Sequence, residues 1–238
     1  MADYPVFDIG PQQKVEVLGY VVTISDTALF VRDIVRNCTV FSQSLPTGEE
    51  AYSICALEEH SVLCISANRD MKEYAVYTLR LTDFLFKSIC RFDDAFDLEY
   101  EVSSNCAGFL YRNINDQYIY CKVDFGKDKV DSRILTFVDR ELIWLSVQFS
   151  NDLDSFLCFA FSPRAFHRDL IYVSCACNRL FVLKSYWQHK INMLTYFCFE
   201  WKEDNTIIVP LRKKTQYYRL SLPSGQPVLT FIREEKAD

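Results

Sequence analysis

The sequence predicts an all-β fold of about five repeated four-stranded units, and three observations predict it. Aromatic residues make up 15% of the 238 residues, with 19 Phe and 14 Tyr, and aromatic and β-branched side chains fit the pleated, half-buried surface of a sheet. A strand–turn–strand pattern recurs along the chain, most clearly over 156–187. A basic residue returns near one register of the recurring pattern, at Arg32, Arg80, Lys122, Lys184 and Arg219.

The bulk composition agrees. Half of the residues are hydrophobic, enough for a substantial core and too many for a disordered chain. Six glycines are few for an all-β protein, so Asn, Asp and Ser must serve at many turns. The formal charge is −6 and the pI about 5.2. That balance argues against wholesale nucleic-acid binding, which needs a basic face.

Residues 1–14 read as a polar lead-in broken by Pro5, Gly10 and Pro11. Leu18–Ile24 is a β-branched strand, Ser25-Asp26 a turn and Ala28–Ile34 a second strand. Val62–Ser66 and Tyr74–Leu81 form the next pair. Phe84–Phe92 is a further strand. Phe109–Ile114 and Gln117–Phe125 are joined by Asn115-Asp116. Apolar residues in 132–147 fit a helical spacing as well as a strand one, so one helix is allowed there, interrupting a unit. Leu142–Phe149 is otherwise a strand. The 156–187 stretch gives an apolar run, a turn at Pro163, strand Leu170–Ala176, the turn Cys177-Asn178 and strand Leu180–Trp187. Leu194–Trp201, Ile207–Val209, Tyr217–Leu222 and Val228–Arg233 complete the set. The β domain is expected over 15–235, with 236–238 as a frayed tail.

The first pair aligns with 170–185 without a gap. Tyr20-Val21 falls on Tyr172-Val173, Asp26 on Asn178, and Val31-Arg32 on Leu183-Lys184. The five basic residues are on average about 47 residues apart, near the ~40–45 of a propeller blade. A β-propeller also shortens and protects its sheet edges. In Gln117–Phe125 the basic Lys122 faces away from the apolar row Ile119, Cys121, Val123 and Phe125. The basic residues therefore read as a solvated face, with a functional basic ring as the sharper alternative.

Phe161-Ser162-Pro163, then Leu170–Ala176, Cys177-Asn178 and Leu180–Trp187, resembles a diverged WD repeat. In that family an apolar-Ser-Pro strand end precedes two strands joined by an Asp/Asn turn. Arg80-Leu81-Thr82-Asp83 is similar to the family's strand ending, with Thr in place of Trp. The family's Gly-His and Trp-Asp dipeptides are absent, and five units are fewer than its usual seven. The resemblance implies a β-propeller used as a protein-binding scaffold.

Catalytic signatures are missing from the sequence. Its three histidines, His60, His167 and His189, are far apart. There is no Gly-rich phosphate loop, GxSxG or HExxH, and no cofactor or metal is expected. Cys175 and Cys177 are one residue too close for the common zinc pair; on a strand both thiols would lie in one layer of the sheet. The ten cysteines read as reduced thiols in an intracellular protein, cytoplasmic or nuclear, because MADYPVFDIG lacks the basic and apolar regions of a signal peptide. Asn37-Cys38-Thr39 is accordingly an unused sequon. No apolar run reaches the ~20 residues of a membrane-spanning helix.

Two segments stand out as partner-binding candidates. Phe92-Asp93-Asp94-Ala95-Phe96, opening the acidic stretch 92–101, reads as a solvated loop able to bind a partner. Arg212-Lys213-Lys214 is a compact basic turn suited to an acidic partner or a phosphate. The function these features indicate is a non-catalytic scaffold or adaptor in an intracellular multiprotein complex, with a protein partner and neither nucleic acid nor membrane. The alternative is a small propeller hydrolase acting on glycosides through paired carboxylates.

Overall fold

The computed structural model describes residues 13–58, 60–136, 143–161, 167–187, 199–211 and 213–236. They form five four-stranded sheets, each a simple meander in chain order. Sheet 1 holds β1 (Lys14–Val17), β2 (Tyr20–Ser25), β3 (Ala28–Asp33) and β4 (Cys38–Ser44). Sheet 2 holds β5 (Glu50–Leu57), β6 (Ser61–Asn68), β7 (Glu73–Arg80) and β8 (Leu85–Phe92). Sheet 3 holds β9 (Phe96–Ser103), β10 (Cys106–Arg112), β11 (Tyr118–Asp124) and β12 (Lys129–Ile134). Sheet 4 holds β13 (Ile143–Phe149), β14 (Ser155–Phe161), β15 (His167–Ser174) and β16 (Arg179–Trp187). Sheet 5 holds β17 (Glu200–Trp201), β18 (Thr206–Leu211), β19 (Lys214–Ser221) and β20 (Val228–Lys236). This is the blade architecture of a five-bladed β-propeller, as the repeat predicts.

Several expectations need correction. The helix allowed over 132–147 does not occupy the ends of that span: 132–134 belong to β12 and 143–147 to β13, while 137–142 lie outside the described residues; sheet 4 has all four strands. Lys14 opens β1 and Lys236 closes β20, shortening the expected lead-in and tail. The turn at Pro163 and residues 194–198 of the expected strand lie outside the described residues. Five strands were not foreseen from the sequence: β1, β4, β5, β9 and β12. All are first or last strands of their sheets.

The gap-free alignment of 20–34 with 172–186 is out of blade register. Arg32, Arg80, Lys122 and Arg219 lie on third strands, but Lys184 lies on β16, the fourth strand of its sheet. Arg80 pairs with Ser61 and Arg219 with Thr206, each the first residue of a second strand. The matching place in sheet 4 pairs Ser155 with Ser174. The basic row is therefore interrupted there.

Low glycine content is met as composition demands. Asp26, Asn37, Asp94, Ser104, Asp116, Asp128, Asn178 and Asn205 all adopt positive φ, the conformation that short polar side chains tolerate best after glycine. Each fourth strand with a defined register, in sheets 1, 2, 4 and 5, also carries a β-bulge. The extra residue is Val40, Ile89, Leu183 or Ile232. Bulges bend an edge strand and increase its twist.

The chain divides into two compact units. Unit 1 comprises Met1–Asp97, Ser104–Cys106 and Val123–Val130; unit 2 comprises Leu98–Ser103, Ala107–Lys122 and Asp131–Asp238. In unit 1, Val22, Ile24, Leu29 and Val31 of sheet 1 join Ile54, Val62, Cys64, Tyr77 and Leu79 of sheet 2 in one buried cluster. In unit 2, Leu157, Phe159, Leu170 and Tyr172 of sheet 4 join Ile207, Val209, Tyr218 and Leu220 of sheet 5. Burial of each large apolar side chain contributes about 1.5–3 kcal/mol, so these clusters between sheets dominate the stability of each unit.

Candidate functional site

The two predicted partner segments fare differently. Phe92 closes β8 and is only 4% exposed, so it packs inside the protein and is no surface anchor. Asp93 and Asp94 are exposed in a short turn, held where the Ala95 N–H donates to the Lys72 carbonyl at 2.8 Å. Phe96 opens β9, half-buried, with the Lys72 Nζ 4.9 Å above its ring. The acidic stretch is thus mostly strand, and the reading of 92–101 as a loop is corrected. Arg212 lies outside the described residues. Lys213 is exposed in the turn before β19, and Lys214 is paired with Glu234 at 2.6 Å.

The basic row is spent on local turn groups. Arg32 donates to the Asn37 Oδ1. Arg80 grips Asp83 with two hydrogen bonds of 2.9 and 2.7 Å. Lys122 donates to the Asp154 carboxylate at 2.7 Å and the Asp152 carbonyl at 2.6 Å. Arg219 donates to the Asp204 carbonyl at 3.0 Å, and the Lys184 Nζ sits 4.8 Å above the Tyr218 ring. All but the Lys184 contact, which is to a ring on β19, tie strands to turns, as a solvated structural face does.

A different surface has the character of an anchor. Strand β2 begins at Tyr20 and β3 ends at Asp33, so Leu18 and Ile34 leave the strands expected of them and enter turns. The Ile34 N–H donates to the Gly19 carbonyl at 2.9 Å and brings the β1–β2 turn beside the β3–β4 turn. At this tip of sheet 1 Val35 is 90% exposed, Leu18 57% and Ile34 40%. Turn tips usually carry polar residues, so three large apolar side chains at one tip are a departure that folding does not require. Sequence reasoning missed them because apolar residues flanking a strand look like more strand.

Two grooves lie at the turn ends of adjacent sheets. In unit 2 a groove of about 380 Å³ is lined by residues that include Tyr172, Trp201, Asp152, Asp154 and Glu203. Its carboxylates are partly committed. Asp152 accepts from the Ser150 hydroxyl at 2.6 Å and the Asp154 N–H at 3.0 Å; although burial opposes it, these hydrogen bonds and nearby Lys122 hold its pKa below the usual carboxylate value. Asp154 is engaged by Lys122. In unit 1 a groove of about 310 Å³ is lined by Leu57, Leu85, Ile89 and Phe125 together with Arg80, Lys87 and Asp128.

Among the described residues the most buried charged group is Glu49, just before β5. It accepts from the Ser66 hydroxyl at 2.5 Å, the Tyr77 hydroxyl at 2.8 Å and the Arg91 guanidinium at 2.5 Å. Ser66, Tyr77 and Arg91 come from β6, β7 and β8, so one carboxylate laces sheet 2 together. Desolvation first, and the bond to Glu49 second, push the Tyr77 phenol up to about 12. Such a satisfied network is structural.

The nine described cysteines are free thiols. Cys175 and Cys177 do not share a sheet layer: Cys175 is buried, Cys177 exposed, and both lie in the turn after β15. Among the described residues no group of three or more His, Cys, Asp or Glu side chains is placed to hold a metal ion, and no helix is long and apolar enough to cross a membrane.

No known protein family and no curated protein matches this sequence. Solved structures match its fold. Oligogalacturonate lyase in complex with manganese aligns at a TM-score of 0.57 and 8% identity, over 90% of this chain and 74% of the lyase chain. Hydrazine synthase of Kuenenia stuttgartiensis aligns at 0.54 and 10% identity, over 84% of this chain; the chain spans 61% of that protein's own length. The WD40 domain of SCAP from fission yeast aligns at 0.50 and 10% identity, over 92% of this chain and 61% of that one. At such identities the likeness is one of fold, shared by enzymes and a WD40 domain alike, and it places this chain among the β-propellers.

Proposed function

We propose that this protein is a non-catalytic interaction module of WD-repeat type, a scaffold or adaptor subunit, that docks a protein partner through the apolar tip of sheet 1. One observation carries the reading: Leu18, Ile34 and Val35 are exposed together on two turns joined by the hydrogen bond from Ile34 to Gly19. An apolar side chain on an otherwise polar turn gains nothing in the free protein. It gains area and dehydration when a partner covers it, as interface anchors do. The engagement of Asp152 and Asp154 in local hydrogen bonds favours this reading over a glycosidase, whose two carboxylates must stay free for the scissile bond.

The test is affinity purification of the tagged full-length chain from its own cells, comparing wild type with the double variant L18D/V35D. Leu18 has φ of 53°, a conformation Asp tolerates better than Leu, so the fold is expected to survive, checked by circular dichroism. Wild type should retain a stoichiometric partner at moderate salt. The double variant should lose most of it, since two anchors at about 1.4 kcal/mol each are about a hundredfold in affinity. A partner held equally by both proteins, or a wild type that purifies alone, would sink the proposal.

A further inference from the structure

The fourth strands are the edges of their sheets, and edges with open N–H and C=O groups invite pairing with another chain. Most of these edges carry charge, a common protection. Strand β8 has Lys87 and Arg91, β12 has Lys129, Asp131 and Arg133, and β16 has Arg179 and Lys184. Strand β4 is uncharged, but its Val40 and Phe41 pack against the first core cluster and its exposed residues, Cys38, Thr39, Ser42 and Ser44, are small.

Strand β20 differs. Val228-Leu229-Thr230-Phe231-Ile232 is an uncharged run of high β-propensity. Phe231 is 53% exposed, and Val228 and Ile232 45% each. The charged half of the strand is occupied within its own copy. Arg233 stacks over the Tyr217 ring at 4.4 Å, Glu234 pairs with Lys214 at 2.6 Å and Glu235 accepts from the Tyr217 hydroxyl at 2.8 Å. What remains open is the apolar half.

We propose that β20 pairs antiparallel with the β20 of a second copy of this chain about a two-fold axis at Thr230, making a homodimer with a continuous eight-stranded sheet. The run is self-complementary in that register. Leu229 lies opposite Phe231 of the other copy and Thr230 opposite itself, while Ile232, the bulge residue, stands outside the regular ladder beside Val228. The charged residues that follow, Arg233 and Glu234, face the uncharged residues at and before the start of the other copy's run, so no like charges meet. Centring the pair on Ile232 instead sets Phe231 against Arg233 and Val228 against Lys236, which leaves apolar groups facing charges. A two-fold strand pairing is isologous and closes on itself, so it yields a dimer and not a fibre. This surface is built from residues of sheet 5, none of which belongs to the apolar tip of sheet 1.

Sedimentation velocity across a concentration series tests the inference. Wild type should shift from monomer to dimer as concentration rises. T230K should stay monomeric, because it sets two ammonium groups face to face on the axis, while its circular dichroism and melting temperature stay at the wild-type values. T230C should give, under mild oxidation, a covalent dimer whose disulfide joins position 230 of the two copies by peptide mapping. A wild type that stays monomeric throughout, or a T230K protein that still dimerises, overturns it.

Discussion

The Glu101 carboxylate on β9 accepts the backbone N–H of Phe149 on β13 at 2.9 Å. One sheet further on the relationship repeats, with the Gln148 side chain on β13 accepting the Trp201 N–H on β17 at 2.7 Å. Both acceptors stand on the first strand of a sheet, one residue before its last hydrophobic position, and both satisfy an N–H that no strand partner takes. The sheets of unit 2 are therefore linked by directional bonds as well as by packing.

Glu101 and Gln148 make this link at different electrostatic cost. Glu101 is an exposed residue, yet its carboxylate loses enough water against β13 for desolvation to raise its pKa, against the lowering by the Phe149 N–H. The folded protein then holds the Glu101 proton more tightly than the unfolded chain. The group favours folding most at acid pH, and that advantage is lost as pH rises from the ordinary glutamate value through the raised one. E101Q keeps a carbonyl acceptor and removes the titration. Its melting temperature should match wild type near the ordinary glutamate pKa, about 4.3, and exceed it at neutral pH. A variant less stable than wild type at neutral pH would show that the charge strengthens the bond more than burial weakens it.

These links were not legible in the sequence, whereas the sheets were. Val22 and Ile24 on β2 alternate with exposed or half-buried neighbours, and that period of two is local information. So is the Asn178 turn. Strand β9 carries the same period, Phe96, Leu98, Tyr100 and Val102 alternating with Asp97, Glu99 and Glu101; the loop reading of 92–101 gives its acidic residues more weight than an alternation that is there to be read. The register error at Lys184 has another origin. A strand–turn–strand pair looks alike whether it is second-and-third or third-and-fourth in its sheet, and only pairing across the whole sheet distinguishes them. The tip residues Leu18 and Ile34 were hidden because the end of a strand is set by where its partner turns.

Gly108 on β10 shows how tightly sheets 3 and 4 approach within unit 2. A Cβ built there would stand 3.2 Å from two ring atoms of Phe149 and 3.6 Å from the Leu153 Cβ. Gly to Ala at a conformation Ala can adopt stabilises by about 0.4–1 kcal/mol through the unfolded chain, and overpacking costs about 1–3 kcal/mol. The ring contact is the larger effect, so G108A should lower stability by about 1 kcal/mol in urea denaturation. In an F149L background the obstructing ring is gone and the same substitution should become neutral or stabilising. Equal effects in the two backgrounds would remove Phe149 from the explanation.

The cysteines offer a test of burial that reads single residues. Desolvation pushes the Cys55, Cys90 and Cys175 thiols up to about 12 and raises Cys64 and Cys158 as well, so at neutral pH these groups hold almost no thiolate, the form that reacts. Cys38 and Cys177 are exposed. Brief iodoacetamide treatment of the native protein at about pH 8, near the free-thiol pKa, followed by peptide mass spectrometry, should mark Cys38 and Cys177 well before those five. Denaturant should abolish the difference. Because Cys175 and Cys177 are two residues apart on one turn, their comparison is internally controlled for sequence context. Equal labelling of the two in the native protein would mean that the turn after β15 does not bury Cys175, and with it that sheet 4 is packed differently from the arrangement described above.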